Sequence, residues 1–266
     1  MTTAERLAAA GLEMPPGYSV VSYDERPDMD PAIRELMAAT WPPFMNEDDV
    51  ANAHFGRAYS DWPQFQTMLL DAEGRLVALA NAMPLPWNGT DDDLPEGWRE
   101  QVLRSVAALD GGLPVDTLGA MQIAMRADAR GAGLSGTMVG TMRAGARAAG
   151  YRAVIANVRP TWKTRYPLIP IENYARWTRD DGLPFDPWMR LHARLGARIV
   201  RASPRALISR GSIADWESWT GMRFPESGQY VVPEATRPVD IDVERDEGIY
   251  YDENVWMVHP VDQVGG

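Results

Sequence analysis

The residues best suited to binding chemistry stand together in one short turn, Arg130 to Ser135, which reads R-G-A-G-L-S. The apolar run from Met121 to Met125 precedes the turn, and a segment with apolar residues at helical spacing follows it. A strand, a glycine-containing turn and a helix start would aim several backbone N–H groups at one point, where the helix end adds partial positive charge. The two glycines keep the backbone accessible, and Arg130 adds a fixed charge. The turn therefore predicts a binding site for a phosphorylated ligand.

The spacing of the glycines decides between phosphate-binding motifs. A Walker loop requires G-x-x-x-x-G-K-[ST], and the only lysine, Lys163, lies far downstream. Gly131, Gly133 and Gly136 do match the dinucleotide pattern G-x-G-x-x-G, which would indicate a nicotinamide-dependent oxidoreductase. Against this, only one strand–helix unit surrounds the turn, and no acidic residue ends the next strand, 151–158, to hold a ribose. The dinucleotide interpretation is therefore the weaker alternative.

The turn is more similar to the motif [Q/R]-x-x-G-x-[G/A], the pyrophosphate loop of the GNAT superfamily of acyltransferases. Arg130 takes the first position of that motif and Gly133 the fourth, whereas Ser135 stands where the family usually has Gly or Ala. The resemblance runs from about residue 18 to residue 211 and is specific over 120–210. It implies an α/β fold (an α+β mixed sheet): a mixed, mostly antiparallel sheet flanked by helices, with a long insertion before the last helix and a C-terminal extension.

The resemblance implies that the ligand is an acyl-coenzyme A, with acetyl-CoA favoured; the residues themselves lead us to expect no metal. It assigns cofactor contacts to the backbone of Ile123, Ala124 and Met125, to the loop residues Arg130, Gly131, Ala132, Gly133, Leu134, Ser135 and Gly136, and to Asn157. For Asn157, a role as a cap at the end of its strand is the alternative.

His192 occupies a position at which the resemblance implies a catalytic residue. The family's usual general acid is a tyrosine four residues before the glycine of L-G-[FA], and this chain has His192 there, in H-A-R-L-G. A histidine could protonate the leaving thiolate or act as a base, because its ordinary pKa lies near neutral pH. A structural hydrogen bond is the alternative role. Tyr166 is a weaker candidate for the acid.

Two other regions are candidates for binding the acceptor. Glu47 and its acidic neighbours 48–49 could receive an amine or provide the base, although an exposed acidic run is more often only solvated. The aromatic-rich segment 159–186 is long for this place in the family, and we expect it to line the acceptor pocket rather than to be a merely packed loop. The tryptophans of the C-terminal part could cover the same cleft or form a homodimer contact.

The elements that position these residues follow from the pattern around the turn. The spacing predicts a helix over 134–149, a buried strand over 151–158, and a helix from the N-cap Asp186 through Leu195. Strands are predicted over 197–201 and, as a hairpin partner, over 206–210.

The N-terminal half predicts a strand over 18–23, a helix over 31–39, a hairpin of 65–70 with 76–83, and a helix over 98–109. The predicted organisation is an N-terminal segment (1–16), an acyl-CoA-binding domain (17–211) and an extension (212–266) that packs on it.

Composition excludes several functions. A formal charge of -11 argues against nucleic acid as a partner, and the chain has no run of about 18–20 apolar residues to span a membrane. The absence of cysteine rules out thiolate metal sites and an acyl-cysteine intermediate, and the three histidines have no metal-ligand spacing. We expect a cytoplasmic protein.

The sequence thus predicts an N-acyltransferase. The acyl group would pass from acyl-CoA to a primary amine of a small molecule, by direct attack in a ternary complex. Two alternatives share the same fold: an enzyme that hydrolyses or decarboxylates an acyl-CoA thioester, and a non-catalytic acyl-CoA-binding module.

Overall fold

The computed structural model describes residues 2–261, and the strands of this part of the chain form one mixed sheet. In chain order the strands are β1 (Ser19–Ser22), β2 (Thr67–Leu70), β3 (Leu76–Leu85), β4 (Thr117–Met125), β5 (Ala153–Val158), β6 (Arg198–Gly211), β7 (Gly228–Tyr230), β8 (Val239–Asp242) and β9 (Glu247–Pro260). Their spatial order is β1-β2-β3-β4-β5-β9-β8-β7, and β6 pairs with β9. Only β4 and β5 pair in parallel; the other pairings are antiparallel.

Helices cover both faces of the sheet. They are α1 (Thr3–Ala9), α2 (Asp30–Thr40), α3 (Asp49–His54), α4 (Arg57–Asp61), α5 (Trp98–Asp110), α6 (Leu134–Ala148), α7 (Ile171–Tyr174), α8 (Pro187–Arg194) and α9 (Ile213–Thr220). Consecutive residues of β2 point to opposite faces of the sheet and show which helices cover each face. Met68 packs with residues of α2, and the next residue, Leu69, packs with residues of α5 and α6. This arrangement confirms the predicted mixed, mostly antiparallel sheet flanked by helices.

Several predicted elements occur within one to three residues of their expected bounds, because local signals define them. Helix α8 is an example: the side chain of Asp186 accepts hydrogen bonds from the backbone N–H groups of Trp188 and Met189, and Pro187 stands at the first helical position. Helices α2, α5 and α6 and the hairpin of β2 and β3 likewise follow the predicted pattern.

The predicted hairpin of 197–201 with 206–210 is wrong. Both segments belong to the single strand β6, which pairs along its length with β9. The pairing is irregular between Ser203 and Leu207, where Pro204 cannot donate to the ladder. This irregularity has the composition of a turn, although the chain continues in one direction.

The predicted C-terminal extension is also corrected. Its last part is β9, which lies between β5 and β6 inside the sheet and therefore belongs to the main domain. The part before it, 212–246, contains α9, β7 and β8 and packs around its own buried cluster, which includes Phe44 and Trp216. Residue 1 of the predicted N-terminal segment and residues 262–266 of the extension lie outside the described residues. Within 2–261, no helix is long and apolar enough to cross a bilayer.

Candidate active site

The parallel strands β4 and β5 pair over only four residues and then separate. Their ladder runs from Thr117 opposite Ala153 to Ala120 opposite Ala156, although both strands continue beyond it. The separation coincides with a β-bulge, because Met121 is the extra residue between two consecutive pairs of β4 with β3. Beyond this bulge, the edge of β4 that faces β5 has no strand partner in the described chain.

Helix α5 fixes the bulge by side-chain hydrogen bonds to the backbone of β4. The indole Nε1 of Trp98 donates to the carbonyl oxygen of Met121 at 2.9 Å, and Nε2 of Gln101 donates to the carbonyl oxygen of Ala120 at 3.2 Å. Both side chains are almost fully buried, so these two hydrogen bonds are shielded from water. The segment 86–116, which connects β3 to β4 and carries α5, therefore sets the geometry at which the strands separate.

A cavity of about 620 Å³ opens where the two strands part. It is lined by Met37 of α2 on one face of the sheet and by Met142 of α6 on the other, so it passes between the strands. Its volume is in the range of small-ligand sites, roughly 300–1,000 Å³. The cavity is therefore large enough for the reactive arm of a cofactor together with a small acceptor.

The turn that follows β4 presents backbone N–H groups without partners. Gly131 has φ +87° and Gly133 has φ +79°, and Gly133 is the N-cap of α6 without a side-chain capping bond. Within 2–261, no hydrogen bond is donated by the backbone N–H groups of 131–135. A Cβ on either glycine would meet no atom within 4 Å, so these glycines serve the left-handed conformation, and the turn faces open space. This geometry fits the phosphate group of an acyl-CoA.

The structure places the predicted cofactor residues on or beside the cavity. Ile123, Met125, Arg130, Ser135 and Asn157 line it. The other predicted residues lie in the same segments without lining it: Ala124, Gly131, Ala132, Gly133, Leu134 and Gly136. The bulge, the free strand edge and the unpaired amides together fit a long ligand with a phosphate at one end. Their role in binding acyl-CoA stays a prediction.

His192 also lines the cavity, and it is paired with a second buried histidine. Its Nδ1 lies 2.8 Å from Nε2 of His259 in β9, and its ring packs edge-on against Trp188. The carbonyl of Leu195 interacts with His259 and raises its pKa, although the geometry falls short of a full hydrogen bond. Because Nε2 of His259 is already engaged by His192, that carbonyl favours the proton on Nδ1 of His259. Nε2 of His192 would then carry a free lone pair.

Burial keeps both histidines neutral. Removal from water lowers the pKa of His192 to about 3, with a smaller contribution from His259 in the same direction. Removal from water also lowers the pKa of His259 to about 4, and the nearby charge of Arg143 acts in the same direction. Nε2 of His192 has no hydrogen-bond partner within 2–261 and is shielded from water. Both imidazoles are therefore uncharged before the reaction and can still transfer protons.

The long insertion 159–186 both lines the cavity and forms a small core. Thr161 and Thr164 line the cavity. Tyr166, by contrast, does not line it, and its ring packs against Tyr174 and Trp177 at 5.9 and 5.1 Å. The structure thus does not bring the weaker catalytic candidate to the site. That the insertion contacts the acceptor stays a prediction.

A buried lysine connects the insertion 159–186 to β9 through an ion pair and to the segment 212–246 through a hydrogen bond. The chain's only lysine, Lys163, lies with Nζ 2.9 Å from Oε2 of Glu253 in β9 and donates to the carbonyl oxygens of Tyr166 and Thr236. Burial raises the pKa of Glu253, and the lysine opposes that rise. The side chain of Lys163 therefore links the insertion 159–186 and the segment 212–246 to the sheet.

The acidic run 47–49 has a structural role at two of its positions. Asp48 is fully buried, caps α3 through the N–H of Ala51 and accepts from Arg99 and from the N–H of Ile208. Asp49 pairs with Arg99, which holds the pKa of that carboxyl below its ordinary value. Glu47 is exposed and does not line the cavity. The structure therefore does not bring Glu47 together with His192.

Sequence reasoning missed a charged group that lines the cavity, formed by Arg159, Glu234 and Asp252. The Nε of Arg159 donates to Oδ1 of the buried Asp252 at 2.9 Å, and one of its terminal nitrogens donates to the carbonyl oxygen of Glu234 at 2.6 Å. The carboxylate of Glu234 is exposed and has no ion-pair partner within 2–261. Arg159 lies more than 70 positions before the other two residues, so no local motif marks the group.

The tryptophans of the C-terminal part are mainly core residues. Trp216 and Trp256 are fully buried within the chain, and Trp216 stacks on Phe44 at 5.5 Å. Neither therefore offers a surface for the predicted dimer contact. Among residues 2–261, no group of three or more His, Cys, Asp or Glu side chains is placed to hold a metal ion.

Comparison with known proteins adds to this geometry. No protein-family model matches the chain. The chain is 31% identical over 289 residues to arginine N-acetyltransferase avaD from Aspergillus versicolor, an alignment that covers 96% of this chain and 98% of the fungal protein.

Two solved structures resemble the fold. The loading GNATL domain of CurA from Lyngbya majuscula has a TM-score of 0.60 at 14% identity, covering 92% of this chain and 98% of that one. The GphF GNAT-like decarboxylase in complex with isobutyryl-CoA has a TM-score of 0.56 at 18% identity, covering 92% and 99%. At these identities the two structures show a shared fold and nothing finer.

Proposed function

Because the chain belongs to the GNAT superfamily of acyl-CoA-dependent N-acetyltransferases, we propose that it acetylates an amine of a small, positively charged molecule, with acetyl-CoA as the donor. The observation that carries the proposal is the single cavity between β4 and β5. It is lined both by the phosphate-binding turn, through Arg130 and Ser135, and by the free carboxylate residue Glu234. We call 121–136 the donor side of this cavity, and Arg159, Glu234 and Asp252 the acceptor side.

The donor side would hold the acyl-CoA mainly through backbone groups. The unpaired N–H groups of 131–135 suit a pyrophosphate, to which Arg130 adds a positive charge. The free edge of β4 over 123–125 suits the amide groups of the pantetheine arm. When bound, the cofactor supplies an activated thioester that an amine can attack.

The acceptor side supports a cationic acceptor. The charges of Arg159 and Asp252 offset each other, and the carboxylate of Glu234 is left unpaired. Burial opposes the charged form of Arg159, but Asp252 outweighs this effect and raises the pKa of Arg159, so the guanidinium stays charged. The fungal relative is named for arginine, a molecule with a permanent positive charge and an amine. We therefore propose arginine, or a similar basic amine, as the acceptor.

His192 would move the proton that the reaction releases. Attack of the amine nitrogen forms a C–N bond, breaks the C–S bond and leaves the nitrogen with one proton too many and the sulfur with one too few. Nε2 of neutral His192 can accept that proton and then return it to the thiolate. Tyr166 and Glu47 do not line the cavity and do not enter this proposal.

The test is acyl transfer itself. Purified protein with acetyl-CoA is assayed for free CoA and for acetylated product, with L-arginine, with an uncharged amine of similar length, and without an acceptor. We expect product with arginine, much less with the uncharged amine, and little CoA release without an acceptor. CoA release that does not depend on any amine would contradict the proposal in favour of thioester hydrolysis.

A further inference from the structure

Two of the side chains that line the cavity, those of Asn157 and Asn254, are hydrogen-bonded to each other. Resting on the proposed function, we propose that Asn254 is a positioning residue: it holds the amide of Asn157 in the orientation that points its N–H groups toward a carbonyl oxygen of the bound acyl-CoA. The two asparagines are 97 positions apart, and both line the cavity.

Both asparagines lie where the central strands end. Asn157 is the second-last residue of β5 and pairs with Trp256 of β9, and Asn254 comes two residues before that partner. Their relative exposures are 8% and 3%, so both side chains are shielded from solvent. The backbone of Asn254 is fixed on its other side by pairing with Ser203 of β6. Burial and strand pairing therefore restrict the movement of both amide groups.

The contacts decide which way each amide faces. One amide atom of Asn254 lies 3.3 Å from the backbone carbonyl oxygen of Asn157 and 2.8 Å from an amide atom of the Asn157 side chain. A backbone carbonyl oxygen can only accept, so the atom of Asn254 must be the donor Nδ2. The atom of Asn157 beside it must then be the acceptor Oδ1, since two N–H groups facing each other would repel. The orientation of both amides follows from one backbone group.

This orientation leaves Nδ2 of Asn157 as the atom turned away from Asn254. It has no hydrogen-bond partner within 2–261, although it is buried. An unpartnered buried donor is unfavourable, and a carbonyl oxygen of a ligand in the cavity would satisfy it. Oδ1 of Asn254 also has no partner there, and both side-chain hydrogen bonds that Asn254 donates run to Asn157. Asn254 therefore positions the donor amide of Asn157.

The experiment is a double-mutant cycle on the full chain, with the dissociation constant of CoA and acetyl-CoA measured by calorimetry. We expect N157A to weaken acetyl-CoA binding about tenfold, as for the loss of one hydrogen bond. We expect N254A to cause a similar loss alone and less than a twofold further loss when N157A is already present. Asn52 also lines the cavity but has no hydrogen bond to Asn157, so N52A combined with N157A is the matched additive control.

A second variant tests the orientation directly. The carboxylate of N254D cannot donate, so it would draw Nδ2 of Asn157 toward itself and turn Oδ1 to the cavity. We expect N254D to lose at least as much acetyl-CoA affinity as N254A, with the KM for the amine unchanged. Additive losses in the cycle, or a raised amine KM with unchanged acetyl-CoA affinity, would overturn the inference. Because binding is read without an acceptor, a wrong acceptor assignment would leave this test intact, and thermal unfolding checks that each variant is folded.

Discussion

The donor side and the acceptor side of the cavity are built from different materials. The donor side is one continuous stretch, 121–136, whose backbone provides the unpaired groups. The acceptor side consists of three residues from separate segments: Arg159 donates to the carboxylate of Asp252 and to the backbone carbonyl oxygen of Glu234. A backbone site can keep its geometry while its side chains change, whereas a side-chain site can change its ligand with one substitution. This division therefore suits a reaction in which the acyl donor stays the same and the amine acceptor varies.

The two sides also differ in how their charges are stabilised. On the donor side, partial charges of the turn and of the α6 N-terminus face open space. On the acceptor side, the full charge of the buried Asp252 is paired with that of Arg159, and a second buried pair, Lys163 with Glu253, lies next to it along β9. Damage to the donor side should thus reduce binding, and damage near the acceptor side should also reduce stability.

The largest effect is expected at His192, which serves both sides. H192A should lower kcat by about 10²–10⁴-fold, because it removes the group that transfers the proton. The KM for acetyl-CoA should change little. Steady-state kinetics with the proposed amine measure both. His54 does not line the cavity, so H54A is the control, and an unchanged kcat in H192A would assign His192 a structural role instead.

The buried ion pair behind the acceptor side should control stability. K163M should lower the free energy of unfolding by about 3–5 kcal/mol, since it leaves the carboxyl of Glu253 buried without its partner. Urea denaturation measures the loss. K163M combined with E253Q should recover part of it, because the buried charge is then gone. A K163M loss below about 1 kcal/mol would show that the pair does not hold the insertions to the sheet.

The phosphate-binding turn should fail under a negative charge. G133D should weaken CoA binding at least about 100-fold, or about 2.7 kcal/mol, because the carboxylate would lie in the cradle meant for phosphate. Gly74 has a nearly identical φ of +76° and open space around it, but it lies in the β2–β3 turn. G74D thus carries the same backbone strain and charge elsewhere. Equal CoA affinity in both variants would refute the assignment of the turn.

A smaller and more selective effect is expected on the acceptor side. E234Q should raise the KM for a cationic acceptor about tenfold and leave the KM for acetyl-CoA unchanged, since it removes only the unpaired negative charge. Glu244 is exposed on the same insertion and outside the cavity, which makes E244Q the control. An identical change in both variants would mean that overall charge, rather than this position, attracts the acceptor.

The difference between the donor side and the acceptor side explains which features of the site could be predicted from the sequence. The turn, α6 and the N-cap of α8 depend on neighbouring residues, so spacing and capping signals were sufficient for them. The order of the strands beyond β5 was missed, because β9 reaches its place only after the excursion 212–246. Arg159, Glu234 and Asp252 share no pattern, and their proximity depends on that same long-range pairing.

The long-range pairing of β5 with β9 also determines the partner of His192, which local sequence patterns do not show. The position of His192 before Leu195 and Gly196 marks it in the sequence, whereas His259 stands in no motif. Residue 259 faces residue 154 across β5 and β9, and this register brings its ring to α8. A histidine pair built on two elements leaves no periodic signal.

The histidine pair leads to a further prediction, a pH dependence of stability. Burial lowers the pKa of His192 to about 3 and that of His259 to about 4, whereas in the unfolded chain both are near 6.5. The unfolded state therefore binds more protons as the pH falls below about 6.5, and the free energy of unfolding should decrease from pH 7 toward pH 5. Urea denaturation at both pH values measures this slope, which should be shallower in H192Q combined with H259Q. Carboxyl groups with lowered pKa values act mainly below this window, so an unchanged slope would mean that the two imidazoles are not held neutral by the fold.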